Sequence, residues 1–171
     1  MIRYVALLRG VNLGGRCPLR MIDLKTIADE LSLGAARTFL ASGNVLLTSN
    51  RTEDSLRNEL EKHLRQHMAR DVRVVLRTAD ALENVVAGNP FTNVASSAVQ
   101  VFFLNEAPPA NLLETVTIRD DERIATGTRE VYVAYGERGI GRSRLHIPAA
   151  ETGTARNMNT VARLAELARE M

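Results

Sequence analysis

The sequence predicts an α+β protein with mainly antiparallel sheets, and two observations support this fold class. Short apolar segments alternate with segments of helical periodicity along the whole chain. Two of the apolar segments are joined by Ser42-Gly43-Asn44, which is typical of a hairpin turn. Sequential hairpins favour antiparallel pairing over a doubly wound parallel sheet.

The first strand is predicted at residues 5–8, where four apolar residues in succession are typical of a central strand covered on both faces. A helix follows, because apolar side chains recur at helical spacing, with Gly34 as its C-cap. The residues at that spacing are Met21, Leu24, Ile27, Ala28 and Leu31.

Residues 38–41 and 45–48 are predicted as the two strands of the hairpin. Thr52, followed by two acidic residues, is a favourable helix start. A last strand at residues 72–76 completes the order βαββαβ, which is the ferredoxin-like plan. The buried stripe of the second helix is predicted to contain Leu56, Leu60, Leu64 and Met68.

A boundary between two halves is predicted near residues 89–97. Pro90 disfavours a helical conformation at Asn89 and ends a short helix at residues 79–87. The predicted domains are therefore residues 1–90, with the glycine loop, and residues 91–171.

The second half repeats the first approximately, as βαββα without a clear last strand. Residues 130–135 alternate as a half-buried strand does. The other predicted elements are a strand at 99–104, a short helix from Pro108-Pro109 to 113, weaker strands at 116–118 and 123–125, a loop at 136–145 and an amphipathic helix from Ala155. The sequence thus predicts two ferredoxin-like βαββα(β) halves.

Composition and charge point to a globular protein of the cytoplasm. The chain has 171 residues, of which 45% are hydrophobic and 25% charged. The apolar run between Arg3 and Arg9 is too short for a signal peptide or a membrane span. The lone Cys17 excludes an intramolecular disulfide. A net charge of +2 without blocks of basic residues argues against a nucleic-acid-binding tail.

The loop after the first strand is the first candidate site. It carries Arg9, Gly10, Asn12, Gly14 and Gly15, and its glycines let a ligand approach the backbone amides. The loop matches neither the P-loop nor the dinucleotide fingerprint, so a wide turn is the structural alternative. Arg9 ends an apolar strand, where its guanidinium must reach solvent, pair with a carboxylate or meet an anionic ligand.

Arg156 is the second candidate, at the predicted start of the last helix. A cation in a first helical turn opposes the helix dipole by about 0.3 to 1 kcal/mol, which suggests a bound anion. Thr154 as a cap and Thr160 one turn later would complete an anion site, and an ion pair with Glu151 is the alternative. On this interpretation, Arg156→Ala leaves the melting temperature unchanged or slightly raised. Further amide donors are Asn12, Asn44 and Asn157.

Four segments, at residues 6–15, 37–45, 89–91 and 154–160, are similar to the four signature blocks of the bacterial family called domain of unknown function 1697. The resemblance implies an α+β fold of ferredoxin-like elements and no established activity, substrate or cofactor. It also gives Ser42 and Asn44, in the hairpin turn, a place among the ligand-binding candidates. The sequence departs from the family pattern at Cys17, Ala41 and Met158.

Other chemistry is discounted. His63 and His67, one turn after Glu59, are spaced for a shared metal, but the sequence places no third ligand, so no metal is assigned. The acidic residues 120–122 are interpreted as a solvated turn. No pair of nucleophile and base is visible, so the cofactor and any enzymatic reaction stay unknown.

Three functions follow from the sequence. The favoured one is binding of a phosphorylated or other anionic, nucleotide-like small molecule between the loop after strand one and the start of the last helix. An RNA-binding module and a non-catalytic interaction domain are the alternatives. No membrane partner is expected, and the oligomeric state is left open.

Overall fold

The computed structural model describes residues 1–11, 19–40, 43–137 and 139–171. The strands form two antiparallel four-stranded sheets. The first contains β1 (Ile2–Leu8), β2 (Arg37–Phe39), β3 (Asn44–Ser49) and β4 (Val74–Thr78). The second contains β5 (Val99–Phe103), β6 (Arg123–Thr126), β7 (Glu130–Ala134) and β8 (Thr154–Asn157). The helices are α1 (Met21–Glu30), α2 (Glu53–Met68), α3 (Ala79–Ala87), α4 (Leu112–Thr115) and α5 (Met158–Arg169).

The strand orders β2-β3-β1-β4 and β6-β7-β5-β8 are equivalent, and each is the order of a ferredoxin-like sheet. The prediction of two ferredoxin-like halves in an α+β protein is therefore confirmed. The chain divides into two compact units, Met1–Ala81 with Leu164–Met171, and Leu82–Arg163. The sequence-based boundary at residue 90 stays a prediction.

In the first unit, α1 and α2 cover one face of the sheet. Side chains from β1, β3 and β4 share a buried cluster with apolar side chains of both helices. The predicted stripe on α2 is part of that core, since Leu56, Leu60 and Leu64 are buried and Met68 packs against the cluster. Thr52 caps this helix as predicted, because its hydroxyl accepts a hydrogen bond from the Ser55 amide at 3.4 Å.

Strand β1 is buried on both faces, as predicted. Ala6 and Leu8 belong to the helix-covered cluster, and the intervening Val5 and Leu7 have no exposed surface. The helix α1 ends differently from the prediction. Leu31 is its C-cap and Ser32 has the positive φ, at 48°, so Gly34 is not the cap. Gly34 instead leaves room for Thr48, whose Oγ1 would lie 1.8 Å from a Cβ atom at this position.

The second unit has the same strand order with much shorter helices between its strands. Only the single-turn helix α4 joins β5 to β6. Two 3-10 turns, Ile140–Arg142 and Pro148–Ala150, lie where the first unit has the long helix α2. The smaller core contains Leu104, Leu112, Val131, Val133, Tyr135 and Ile147.

Three predictions for the second half are wrong. No strand forms at residues 116–118, where Thr117 makes an isolated bridge with His146. The strand β7 is buried at all five residues, although its alternation predicted a half-buried strand. Residues 154–157 form the strand β8, although the sequence predicted no clear last strand and a helix from Ala155. Pairing with β5 holds this segment extended, and α5 begins one residue after it, at Met158.

In the described part of the chain, no helix combines the length and the apolar character needed to cross a membrane.

Candidate functional site

The chain leaves the first sheet at the end of β1, and its backbone there is held from two sides. The Leu8 amide donates to the Gly43 carbonyl at 2.8 Å, and the Arg9 amide donates to the Arg73 carbonyl at 2.9 Å. Val11, two residues later, is 1% exposed. The start of the predicted loop is thus fixed by the hairpin on one side and by the entry to β4 on the other.

Gly10 has the left-handed φ of +69°, which favours glycine. Its carbonyl accepts a hydrogen bond from Arg70 Nη2 at 2.8 Å. Arg70 follows the left-handed C-cap of α2 at Ala69, so the end of that helix places the guanidinium beside Gly10. The sequence analysis did not select Arg70, since no local pattern connects it to Gly10.

Three arginines therefore meet where β1 ends. Arg9 and Arg73 are the next residue pair after Leu8 and Val74 in the β1–β4 ladder. Both side chains are exposed, and Arg70 is half-buried beside them. Like charges placed opposite each other on neighbouring strands repel, which disfavours the pairing of Arg9 with Arg73 in the ladder between β1 and β4.

The hairpin between β2 and β3, which belongs to the second signature segment, packs against the backbone that follows β1. Gly43 has a φ of +80°, and a Cβ atom there would lie 2.1 Å from Val11 Cγ2. Asn44 is fully buried, and its side-chain Nδ2 donates to the Phe39 carbonyl at 2.9 Å. These two residues shape the hairpin and its contact with the loop. Leu40 in the same turn has a φ of 60°, which a non-glycine residue seldom adopts.

Several of the predicted binding residues lie outside the described residues. They are Asn12, Gly14, Gly15 and Ser42, and the lone cysteine, Cys17, lies outside the described residues as well.

The prediction that Arg156 occupies the first turn of the last helix is wrong. Arg156 lies in β8, is 7% exposed and pairs with Val101 of β5. Its Nη1 donates to Thr154 Oγ1 at 2.7 Å and to the Ala155 carbonyl at 2.8 Å. Thr154 therefore binds the guanidinium and does not cap the helix. Burial lowers the pKa of Arg156 to about 10.

Asn157 supplies the cap of α5. Its side-chain oxygen accepts from the Asn159 amide at 2.9 Å, and its Nδ2 donates to the Ser97 carbonyl at 2.8 Å. Thr160 is half-buried in the first turn of α5. Arg9 belongs to the first compact unit and Arg156 to the second, so their predicted meeting at one ligand stays a prediction.

Arg77 in β4 is a counterpart of Arg156 that the sequence analysis missed. It pairs with Val5 of β1 as Arg156 pairs with Val101 of β5, and it is 1% exposed. Its Nη1 donates to the carbonyl of the preceding residue, Leu76, at 2.8 Å, as the Nη1 of Arg156 does with Ala155.

The residues that follow the two arginines are also equivalent. Thr78 Oγ1 accepts from the Ala81 amide at 3.1 Å at the start of α3, as Asn157 accepts from Asn159 at the start of α5. The signal in the sequence was an arginine at the end of a strand, followed by a capping residue and a helix. This signal marks a structural repeat.

The histidines discounted as metal ligands are bound to a residue of α1. Oε2 of Glu30 lies 2.8 Å from His63 Nδ1 and 3.4 Å from His67 Nε2. These hydrogen bonds, the one with His63 first, hold the pKa of Glu30 below its usual range. Glu59 pairs with Arg51 instead, at 2.9 Å. Among the residues that the structure describes, no group of three acidic, histidine or cysteine side chains is arranged to hold a metal ion.

The acidic turn at residues 120–122 is more than a solvated loop. Glu122 is 6% exposed and accepts hydrogen bonds from the Asp120 amide at 3.0 Å and from the Ser143 hydroxyl. The Ser143 bond is the main reason that the pKa of Glu122 lies below its usual range. Asp121 accepts from the Glu137 amide at 3.2 Å. The turn therefore anchors the loop that follows β7.

A solved structure, described as that of conserved bacterial protein SP0830 from Streptococcus pneumoniae, has the same fold. It superimposes with a TM-score of 0.79 over 98% of each chain, at 20% sequence identity. A comparison with curated proteins gave no match.

The sequence profile of a family described as "Protein of unknown function (DUF1697)" matches residues 1–132. This range includes the first sheet, its helices and the arginines at the end of β1. The match covers three of the four signature segments and confirms the resemblance, so the chain belongs to the DUF1697 family of proteins of unknown function.

Proposed function

We propose that the protein binds a phosphorylated or other anionic small molecule, nucleotide-like in its charge, at the end of β1. The observation that supports this proposal most is the position of three arginines at the end of β1, where Arg70 contacts the Gly10 backbone and Arg9 lies opposite Arg73. The proposal keeps the glycine loop selected from the sequence. It uses Arg70 and Arg73 as the accompanying cations in place of Arg156.

The chemistry of these side chains suits an anion. A guanidinium has five N–H donors, and in the described part of the chain Arg70 uses them for one hydrogen bond, to Gly10. Asp71, the next residue in the chain, pairs with Arg65 at 2.5 Å, and Glu61 accepts from the Val74 amide at 2.9 Å, so neither carboxylate is the partner of Arg70. A phosphate group would offset the mutual repulsion of the three cations.

The RNA-binding alternative has less support. Base stacking on a ferredoxin-like sheet needs exposed aromatic rings on a sheet face. All seven phenylalanine and tyrosine residues lie in the described part of the chain, and none of them is exposed. A steep decline of oligonucleotide binding with salt would favour RNA, whereas one compact anion site gives a weaker dependence. If the protein is a non-catalytic interaction domain, replacement of any of the three arginines should leave its affinity for the partner unchanged.

The cytoplasmic location predicted from the sequence is part of this proposal, since phosphorylated metabolites are found in that compartment. Fractionation of cells that produce the protein tests it, and recovery from the membrane or the medium would contradict it.

The test is calorimetric titration with inorganic phosphate, pyrophosphate, AMP and ATP. Each of Arg9→Ala, Arg70→Ala and Arg73→Ala removes a charge-assisted hydrogen bond. We expect each variant to bind the best of these probes about ten to a hundredfold more weakly than the wild-type protein.

Arg65→Ala is the matched control, because Arg65 is exposed on α2 and already paired with Asp71. It changes the net charge as the other variants do and should bind like the wild-type protein. Equal affinities for all four variants, or no binding of any probe by the wild-type protein, would reject the proposal.

A further inference from the structure

An apolar groove of about 580 Å³ lies along α1 and the turn after it, within the first compact unit. Five of its eight lining residues are apolar, and they include Ile22 at one end and Leu33 at the other. Ile22 is 59% exposed, which is unusual for a large aliphatic side chain on a helix whose other face is buried. An exposed apolar surface with charged residues on its rim is typical of an interaction site.

The two charged residues of the groove, Lys25 and Asp29, lie one helical turn apart and are both exposed. Neither makes an ion pair with a residue in the part of the chain that the structure describes. A lysine that precedes an acidic residue by four positions is the less favourable order for pairing within a helix. Both charges are therefore available to a partner that carries the opposite charges at the same spacing.

We propose that this groove is the contact surface for a second copy of the chain, which packs its own α1 antiparallel across it. A twofold axis midway between Lys25 and Asp29 brings Lys25 of each copy opposite Asp29 of the other. The same axis brings Ile22 of each copy opposite the Ser32-Leu33 end of the other groove. The surface is thus self-complementary in charge and in apolar character, as an isologous dimer contact requires.

A contact formed by one helix and its groove is small compared with stable interfaces, which bury about 1,200 to 2,000 Å² in total. The dimer should therefore be weak, with a dissociation constant in the micromolar range. This proposal is independent of anion binding at the end of β1, because the two sets of residues do not overlap.

The test is sedimentation equilibrium from about 5 to 500 µM protein, at low ionic strength, a range that brackets micromolar association. Ile22→Asp places a charge in the apolar end of the contact and should abolish dimerisation. Lys25→Asp and Asp29→Lys each turn two attractive pairs into two repulsive ones, and each should weaken the dimer about tenfold. The double variant Lys25→Asp with Asp29→Lys restores opposite charges and should return the dissociation constant to within about threefold of wild type.

Lys62→Asp is the matched control, since Lys62 is the other lysine of the chain and lies exposed on α2. It makes the same change in net charge and should dimerise like the wild-type protein. A wild-type protein that stays monomeric through the whole range would overturn the proposal. So would single reversals that the double variant does not rescue, or a loss of dimer in Lys62→Asp equal to that in Lys25→Asp.

Discussion

The two halves of the molecule share a strand order and differ in what joins the strands. In the first half, α1 and α2 have 10 and 16 residues and pack on one sheet face. In the second half, α4 has four residues, and 3-10 turns replace the second helix. The order of four antiparallel strands is nevertheless the same in both.

The comparison teaches that strand pairing and side-chain burial specify the shared strand order. Long helices cover the sheet in the first half, and a single helical turn with 3-10 turns takes their place in the second. Leu112, in the single turn of α4, is 1% exposed, as deeply buried as the leucines of the longer α2. The features that repeat are instead in the strands. The buried arginines Arg77 and Arg156 occupy equivalent ladder positions, each followed by a residue that caps the next helix.

The largest expected effect comes from these two arginines. Arg77→Ala and Arg156→Ala each leave a cavity and an unpaired carbonyl in a buried sheet, so each should lower the free energy of unfolding by about 3 kcal/mol. Urea denaturation measures the loss. Arg123→Ala is the control, because the exposed Arg123 stacks on the Phe91 ring at 5.2 Å and should lose less than about 1 kcal/mol.

The result for Arg156 also separates two structural interpretations. The helix-terminus position predicted from the sequence required unchanged or increased stability in Arg156→Ala. The strand position requires a loss similar to that of Arg77→Ala. A stable Arg156→Ala protein beside a destabilised Arg77→Ala protein would end the equivalence of the two residues.

The next largest difference in stability is expected between alanine substitutions at two glycines with positive φ, one in each half. A Cβ atom added at Gly43 in the first half would lie 2.1 Å from Val11 Cγ2. A Cβ atom added at Gly139 in the second half would have no atom of the described residues within 4 Å, its chain neighbours aside. Gly139→Ala should cost about 1 kcal/mol, the conformational penalty itself. Gly43→Ala adds a steric clash with the core and should cost about 3 kcal/mol by thermal or urea unfolding. Equal losses of unfolding free energy in the two variants would show that the hairpin accommodates a Cβ atom as easily as the loop at Gly139 does.

The smallest expected effect is a difference in acid sensitivity. The pKa of Glu122 is lowered by Ser143, so its contribution to stability is present above the ordinary glutamate pKa of 4.5 and is lost as pH falls through the lower folded-state value. Glu122→Gln should cost about 1 kcal/mol at pH 7, and this difference from wild type should shrink below pH 4.5.

Glu30→Gln in the first half provides the comparison. The pKa of Glu30 is lowered in the same direction by His63 and His67, but its side chain is 44% exposed. Its loss at pH 7 should therefore be smaller than that of Glu122→Gln. Denaturation curves at pH 7 and at pH 4 measure both, and a larger effect at Glu30 would contradict the importance of burial.

The sequence was informative where structure is local. Periodicity placed α2 and its buried leucines, and the helix predicted at residues 79–87 coincides with α3. The hairpin chemistry of Ser42-Gly43-Asn44 placed β2 beside β3. The glycines and Arg9 selected the loop after β1, the family resemblance added Ser42 and Asn44, and the matching profile confirms membership.

Where the prediction from sequence failed, contacts between residues distant in the chain decided the conformation. Ala155 and Arg156 favour helix by intrinsic propensity, yet pairing with Val101 and Phe102 makes them a strand, because ladder hydrogen bonds and burial outweigh a propensity difference below about 1 kcal/mol per residue.

Sequence by itself thus determined the order of strands and helices in the first half and selected the glycine loop as a candidate, because both inferences use residues close together in the chain. Tertiary structure alone decided which arginines lie at the end of β1. Arg70 lies 60 residues from Gly10 and reaches it only because α2 ends and β4 begins beside β1. A hydrogen bond between residues so distant in sequence leaves no periodicity or spacing for a pattern to detect.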